Sequence, residues 1–121
     1  MEAILDSSFI LSCMKKNIDF IAQLEEMGFK AVVPREVMQE LKDLRLKSSR
    51  EDKMAIEIAL SLIELRKVKK MSFGSGNVDE QLIKKGRSGV YIATLDKAIK
   101  REIPNKIVIS SARKGIEVER S

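Results

Sequence analysis

The stretch Ala3-Ile4-Leu5-Asp6-Ser7-Ser8 decides how the chain is read. Residues 2–5 read as a short buried strand around the apolar run Ala3-Ile4-Leu5. The run ends on an acid, and Asp6-Ser7-Ser8 supplies N-cap chemistry for a helix through about Met14. Near the other end, Val90-Tyr91-Ile92-Ala93-Thr94-Leu95-Asp96 repeats the arrangement, a strand that closes on an aspartate. α/β folds collect functional groups at such strand ends.

Between these two stretches, the pattern alternates short strands with helices. A helix follows Asn17, with Ile18, Ile21, Leu24 and Met27 at helical spacing and Gly28 as its stop. Lys30 to Val33 reads as a strand. Pro34 fits a first helical turn, where its missing N–H is no loss. That helix runs to about Leu46, with Val37, Leu41 and Leu44 on one face. Residues 51–68 form the longest helical pattern. Met54, Ala55, Ile58, Ala59, Leu62 and Leu65 make its stripe, which Ile56, Leu60 and Ile63 widen. A stripe so wide is either deeply buried or shared with a second subunit. Lys70 to Phe73 reads as a strand, Gly74 to Asn77 as a loop, and Val78 to Lys85 as a helix stopped near Gly86. A helix over Lys97 to Ile103 is closed by Pro104. Ile107 to Ile109 and Ile116 to Val118 read as the last strands. The alternation predicts an α/β fold with a parallel-type sheet, built as one domain over residues 1–121.

Composition narrows the chemistry. The chain is 44% hydrophobic, enough for a real core, and 34% charged against an average of about 25%. Net charge is +5, so RNA, DNA or an anionic membrane surface would suit it as partner, and a solvated basic face would look the same. The basic concentrations are Arg66, Lys67, Lys69 and Lys70; Lys84, Lys85 and Arg87; and Lys97, Lys100 and Arg101. Only Tyr91 and four phenylalanines are aromatic, which argues against a base-stacking surface. Cys13 is the one cysteine, so no intrachain disulfide forms, as suits a reducing cytoplasm. No apolar run approaches the roughly 18 residues of a membrane span.

The chain has no histidine. That removes the commonest general base and the commonest zinc ligand, and with them Ser-His-Asp and Cys-His catalysis. No phosphate-binding glycine loop is present either, since Gly74-Ser75-Gly76 lacks the required pattern. Carboxylates remain, and their oxygens suit Mg²⁺ or Mn²⁺. The candidates are Asp6, Glu40, Asp79 and Asp96. Each also has an ordinary use: Asp6, Asp79 and Asp96 as helix caps, and Glu40 as a solvated helical acid one turn from Glu36.

Four motifs in order then resemble the PIN-domain family, metal-dependent ribonucleases that include VapC toxins and ribosomal-RNA-processing nucleases. They are Ile4-Leu5-Asp6-Ser7-Ser8, the segment Val32-Val33-Pro34-Arg35-Glu36-Val37-Met38-Gln39-Glu40-Leu41, Asn77-Val78-Asp79, and Tyr91-Ile92-Ala93-Thr94-Leu95-Asp96. The resemblance implies a three-layer α/β/α sandwich whose central, mostly parallel sheet gathers the acids at the C-terminal edge of its strands. It implies Mg²⁺ or Mn²⁺ on Asp6, Asp79 and Asp96, with Glu40 reaching the metal directly or through water. Ser7 and Thr94 match hydroxyl residues that support the acids. Glu80 competes with Asp79, and Glu36 with Glu40. The implied substrate is RNA, which Lys97, Lys100 and Arg101 would steer. A homodimer, and an antitoxin or ribosome-processing partner, are the implied protein contacts. Two rival readings stand beside the nuclease: a non-catalytic PIN-like module that binds RNA or protein, and a receiver-type phosphoacceptor domain. The receiver fits less well, because two serines follow Asp6 where a receiver brings paired acids.

Overall fold

Ala3, Ile4 and Leu5 are all buried, yet they serve opposite sides of the sheet. Ala3 and Leu5 join one apolar cluster and Ile4 another. The same split divides Ala31 and Val33 from Val32, and Tyr91 and Ala93 from Ile92. Successive side chains on a strand point to opposite faces, so a strand covered on both faces must be apolar throughout.

The computed structural model describes residues 1–120. Its six strands are β1 (Glu2–Leu5), β2 (Lys30–Pro34), β3 (Lys69–Met71), β4 (Tyr91–Ala93), β5 (Asn105–Ser110) and β6 (Gly115–Arg120). Its helices are α1 (Ser7–Lys15), α2 (Phe20–Glu26), α3 (Arg35–Lys47), α4 (Arg50–Leu65), α5 (Val78–Arg87) and α6 (Lys97–Lys100). One sheet holds all six strands in the order β3-β2-β1-β4-β5-β6. The first five are parallel, with Ala3 opposite Ala31 on one side and Tyr91 on the other. β6 returns antiparallel to β5.

The two clusters define the layers. Phe9, Phe20, Leu24, Val37, Leu41, Ile56 and Ile63 bring α1 to α4 onto one face. Leu82, Ile99 and Ile103 bring α5, α6 and the turn after it onto the other. The fold is thus the expected α/β/α sandwich around a mostly parallel sheet. Leu82 and Ile99 are fully buried, and each contributes about 1.5–3 kcal/mol to docking its helix. Those two helices carry Asp79 and Asp96. The strand order also differs from the 2-1-3-4-5 order of receiver-type domains, which removes that rival reading.

Several element boundaries differ from the sequence reading. Gly86 is not a helix stop but lies inside α5. A Cβ there would sit 2.3 Å from Ile103 Cγ2, so the glycine lets the helix approach the Ile103 turn. α6 ends at Lys100 rather than Ile103, in a turn that delivers Ile103 to the core. α4 ends at Leu65 rather than residue 68, because Lys67 takes a left-handed φ of 52° that stops the helix and starts β3. β3 covers Lys69–Met71, starting one residue and ending two residues before the expected Lys70 to Phe73. Leu44 lies at the surface while Val37 and Leu41 are buried, so the α3 core face is shorter than its apolar spacing suggested. On α4, Ala55, Ile56, Ala59 and Ile63 are buried, but Met54, Ile58 and Leu65 remain 57%, 53% and 77% exposed. Among the described residues, no helix is long and apolar enough to cross a membrane.

Candidate functional site

In this strand order the chain leaves β1 toward β2 and β3, then crosses to β4 on the opposite side. The reversal falls at the C-terminal ends of β1 and β4, the place where open α/β sheets put a ligand crevice. Asp6 and Thr94 stand at that point. The Asp6 amide donates to the Ala93 carbonyl at 2.9 Å, fastening the two strand ends together.

Asp6 is 6% exposed, and both of its carboxylate oxygens are held. The Ser7 amide donates to Oδ1 at 2.8 Å and the Thr94 hydroxyl donates to Oδ2 at 2.7 Å. Thr94, wholly buried, also accepts from the Asp96 amide at 3.1 Å. One hydroxyl therefore links the first and last acids through its donor and an acceptor lone pair. Burial pushes the Asp6 carboxyl above its ordinary range, the bonds from Thr94 and Ser7 pull it back, and the charges of Glu40 and Asp79 raise it again. Those two acids therefore act electrostatically on Asp6.

Glu40 and Glu36 have different partners. The Ser7 hydroxyl donates to Glu40 Oε1, which brings this α3 glutamate to the edge where β1 ends. Glu36 turns to the loop after β3, accepting from the Ser72 hydroxyl at 3.0 Å and the Phe73 amide at 3.1 Å. Its own backbone N–H, outweighing desolvation, holds its carboxyl below the usual range, and the Ser72 and Phe73 bonds add to the effect. Glu36 thus anchors the loop that leads to α5, and its Oε1 is buried with no hydrogen-bond partner among the described residues. No local pattern around Glu36 signals this use.

Asp79 sits exposed in the first turn of α5 and does not cap it. Asn77 is the cap, accepting from the Glu80 amide at 3.2 Å. Asp96, by contrast, caps α6, its Oδ1 accepting from the Ala98 amide at 2.8 Å and the Ile99 amide at 3.4 Å. Its capping use and its place beside the crevice coexist. Ser8 also joins the two strand ends, its hydroxyl accepting from the Leu95 amide at 3.3 Å. Among the described residues, no three acidic or thiol side chains are assembled as a metal-holding group. The structure thus links Asp6 to Glu40 through Ser7 and to Asp96 through Thr94, with Asp79 felt as charge.

Lys97, Lys100 and Arg101 lie on and just after the helix that Asp96 caps, with no ion pair among the described residues. Cys13 is buried under α1, and burial pushes its thiol up to about 12, so it is no nucleophile at neutral pH.

A family model described as "PIN like domain" matches residues 3–113, from β1 to the turn between β5 and β6. No curated protein sequence matches the chain.

Proposed function

The chain belongs to the PIN-like domain family, whose members are generally nucleases, and we propose that it is a Mg²⁺- or Mn²⁺-dependent endoribonuclease that hydrolyses RNA phosphodiester bonds. The observation that carries this reading is the buried Asp6 carboxylate at the strand-order reversal, with Glu40 and Asp79 adding like charge to it. Such charges repel each other and any incoming phosphate, and a divalent cation relieves both repulsions.

The residues fit such a cation. Carboxylate oxygens are hard donors, and Mg²⁺ is commonly held by one or two carboxylates, with water and substrate phosphate completing the shell. Asp6, Asp79 and Asp96 are the proposed ligands, with Glu40 reaching the ion directly or through water. When bound, the ion supplies charge neutralisation at the phosphoryl group and acidifies a water. Asp6, fixed at both oxygens, presents a carboxylate that need not reorganise. Glu40 is exposed and held by the Ser7 hydroxyl, so it can meet solvent and substrate from a defined position. Lys97, Lys100 and Arg101 position the RNA backbone from α6.

The test is cleavage of single-stranded and structured RNA with Mn²⁺ or with EDTA. Cleavage that stops in EDTA and in Asp6→Asn is expected, and undiminished cleavage by Asp6→Asn would sink the site. The separate arrangement of the acids and the capping use of Asp96 favour one second reading, a PIN-like module that binds without cutting. Calorimetry separates them, since the module reading gains if the wild type takes up no Mn²⁺.

A further inference from the structure

A depression of about 930 Å³, between the end of α1 and the turn joining β5 to β6, does not contain the acids but lies near Asp96 through Leu95. Lys15, Lys16, Arg113 and Lys114 line it, and no carboxylate among the described residues does. The adjoining groove between α2 and β6 mixes Asp19, Glu26 and Glu117 with the same turn, so the one-signed charge belongs to this depression. Lys15 pairs with Asp52 at 3.0 Å and Arg113 with Glu117 at 3.6 Å. Lys16 and Lys114 have no ion pair among the described residues and are exposed. They are the cations most available to an anionic ligand.

Position supplies the second argument. Leu95, between Thr94 and Asp96, lines the same depression. A smaller hollow shares Ser12, Lys15 and Lys16 with it, reaches Ser8 and includes the acid Glu51. The basic surface therefore borders, at Leu95 and Ser8, the strand ends from which Asp6 and Asp96 project. Ser12, Ser110 and Ser111 add neutral hydroxyls, the donor type that accompanies lysine on nucleic-acid backbones.

We propose that this groove binds the sugar-phosphate backbone of single-stranded RNA on one side of the cleavage point, with Lys16 and Lys114 as its principal phosphate contacts. The proposal rests on the nuclease reading for its direction, since the strand would run from the Asp6 crevice past Leu95. Its place beside those strand ends favours RNA over an acidic peptide, which would need no access to the carboxylates.

The test measures binding of a labelled single-stranded RNA by fluorescence anisotropy in EDTA, across a range of salt. Lys16→Ala/Lys114→Ala should bind about tenfold more weakly near physiological salt, with the log–log salt slope reduced by about 1.4, as expected for two lost contacts to a single strand. The charge-matched pair Lys84→Ala/Lys85→Ala, on α5 across the sheet, should stay within about twofold of the wild type. Equal losses in both pairs, or no loss in the groove pair, overturn the proposal. So does a glutamate-rich peptide that displaces RNA from the wild type but not from the groove variant while binding more tightly than RNA. Groove-dependent RNA binding by a wild type that cuts nothing with Mn²⁺ keeps the groove and removes the nuclease. Mn²⁺-dependent cutting with an unchanged KM in the groove pair does the reverse.

Discussion

Thr94→Val removes one hydroxyl from the centre of the site and changes little else. Valine fills the same space, so no cavity opens. Asp6 Oδ2 loses its 2.7 Å donor, and the Asp96 amide loses its 3.1 Å acceptor. A hydrogen bond to a charged group contributes about 1.5–3 kcal/mol, and leaving the second group unmatched adds about 1 kcal/mol. The expected loss is therefore about 2.5–4 kcal/mol, or a fall in Tm of roughly 10–16 °C for a chain of this size. Its pH dependence follows from the raised Asp6 pKa. A carboxyl whose folded pKa lies above its unfolded value binds its proton better when folded. That contribution is present below the ordinary aspartate range and is lost as pH rises through the folded pKa. Thr94 lowers the Asp6 pKa, so the variant raises it further, and the destabilisation should be largest near about pH 8 and shrink toward about pH 4. Urea unfolding followed by circular dichroism at both pH values measures this. In an Asp6→Asn background the same substitution breaks a neutral bond and still strips the Asp96 amide of its acceptor, so it should cost about 1.5–2.5 kcal/mol, leaving a coupling of about 1 kcal/mol. Equal costs in the two backgrounds would refute the assignment of Thr94 as the support of a charged Asp6.

Asp6→Asn alone should raise stability at neutral pH by on the order of 1 kcal/mol, because it removes a buried charge; thermal melts should show the gain vanish in acid, where Asp6 is protonated. Glu40→Gln should cut Mn²⁺-dependent cleavage about 10- to 100-fold and leave Tm near the wild type, while Glu36→Gln should lower Tm by about 4 °C through the Ser72–Phe73 loop with a smaller loss of cleavage. A reversed pattern would exchange the two glutamates. Self-association through the exposed Met54, Ile58 and Leu65 face of α4 is our proposal for the dimer. Sedimentation should then find wild-type dimers at micromolar concentration and Ile58→Glu monomers, and a monomeric wild type would reject it.

What the sequence shows and hides follows from the range of the interactions. The strands were legible because a parallel strand covered on both faces must be apolar at every position, and Ala3-Ile4-Leu5 and Tyr91-Ile92-Ala93 are. Asp6 and Asp96 were legible because each breaks such a run at its end. Glu36 and Glu40 were not separable, since they lie one turn apart on α3. What separates them is a serine hydroxyl 33 residues away for Glu40 and a loop amide 37 residues away for Glu36. Gly86 misled for a related reason. A glycine near a helix end reads as a stop from local conformation alone, but here its missing Cβ makes room for Ile103. The basic groove joins residues from opposite ends of the chain, so no local window of sequence contains it.

Asp6 is where stability and proposed function pull apart. A fold selected only for stability has no reason to leave a carboxylate 6% exposed with two further acids acting on it. The helix cap alone would be served as well by asparagine or serine, which carry no charge to desolvate. Nor is the burial a packing accident, because Thr94, the Ser7 amide and the Asp6–Ala93 backbone bond hold the carboxylate in one position. These bonds offset the desolvation only in part, since the Asp6 pKa remains raised. The uncompensated remainder is a negative charge held ready at the end of the central strands, and a bound cation would complete what the neighbouring residues leave undone.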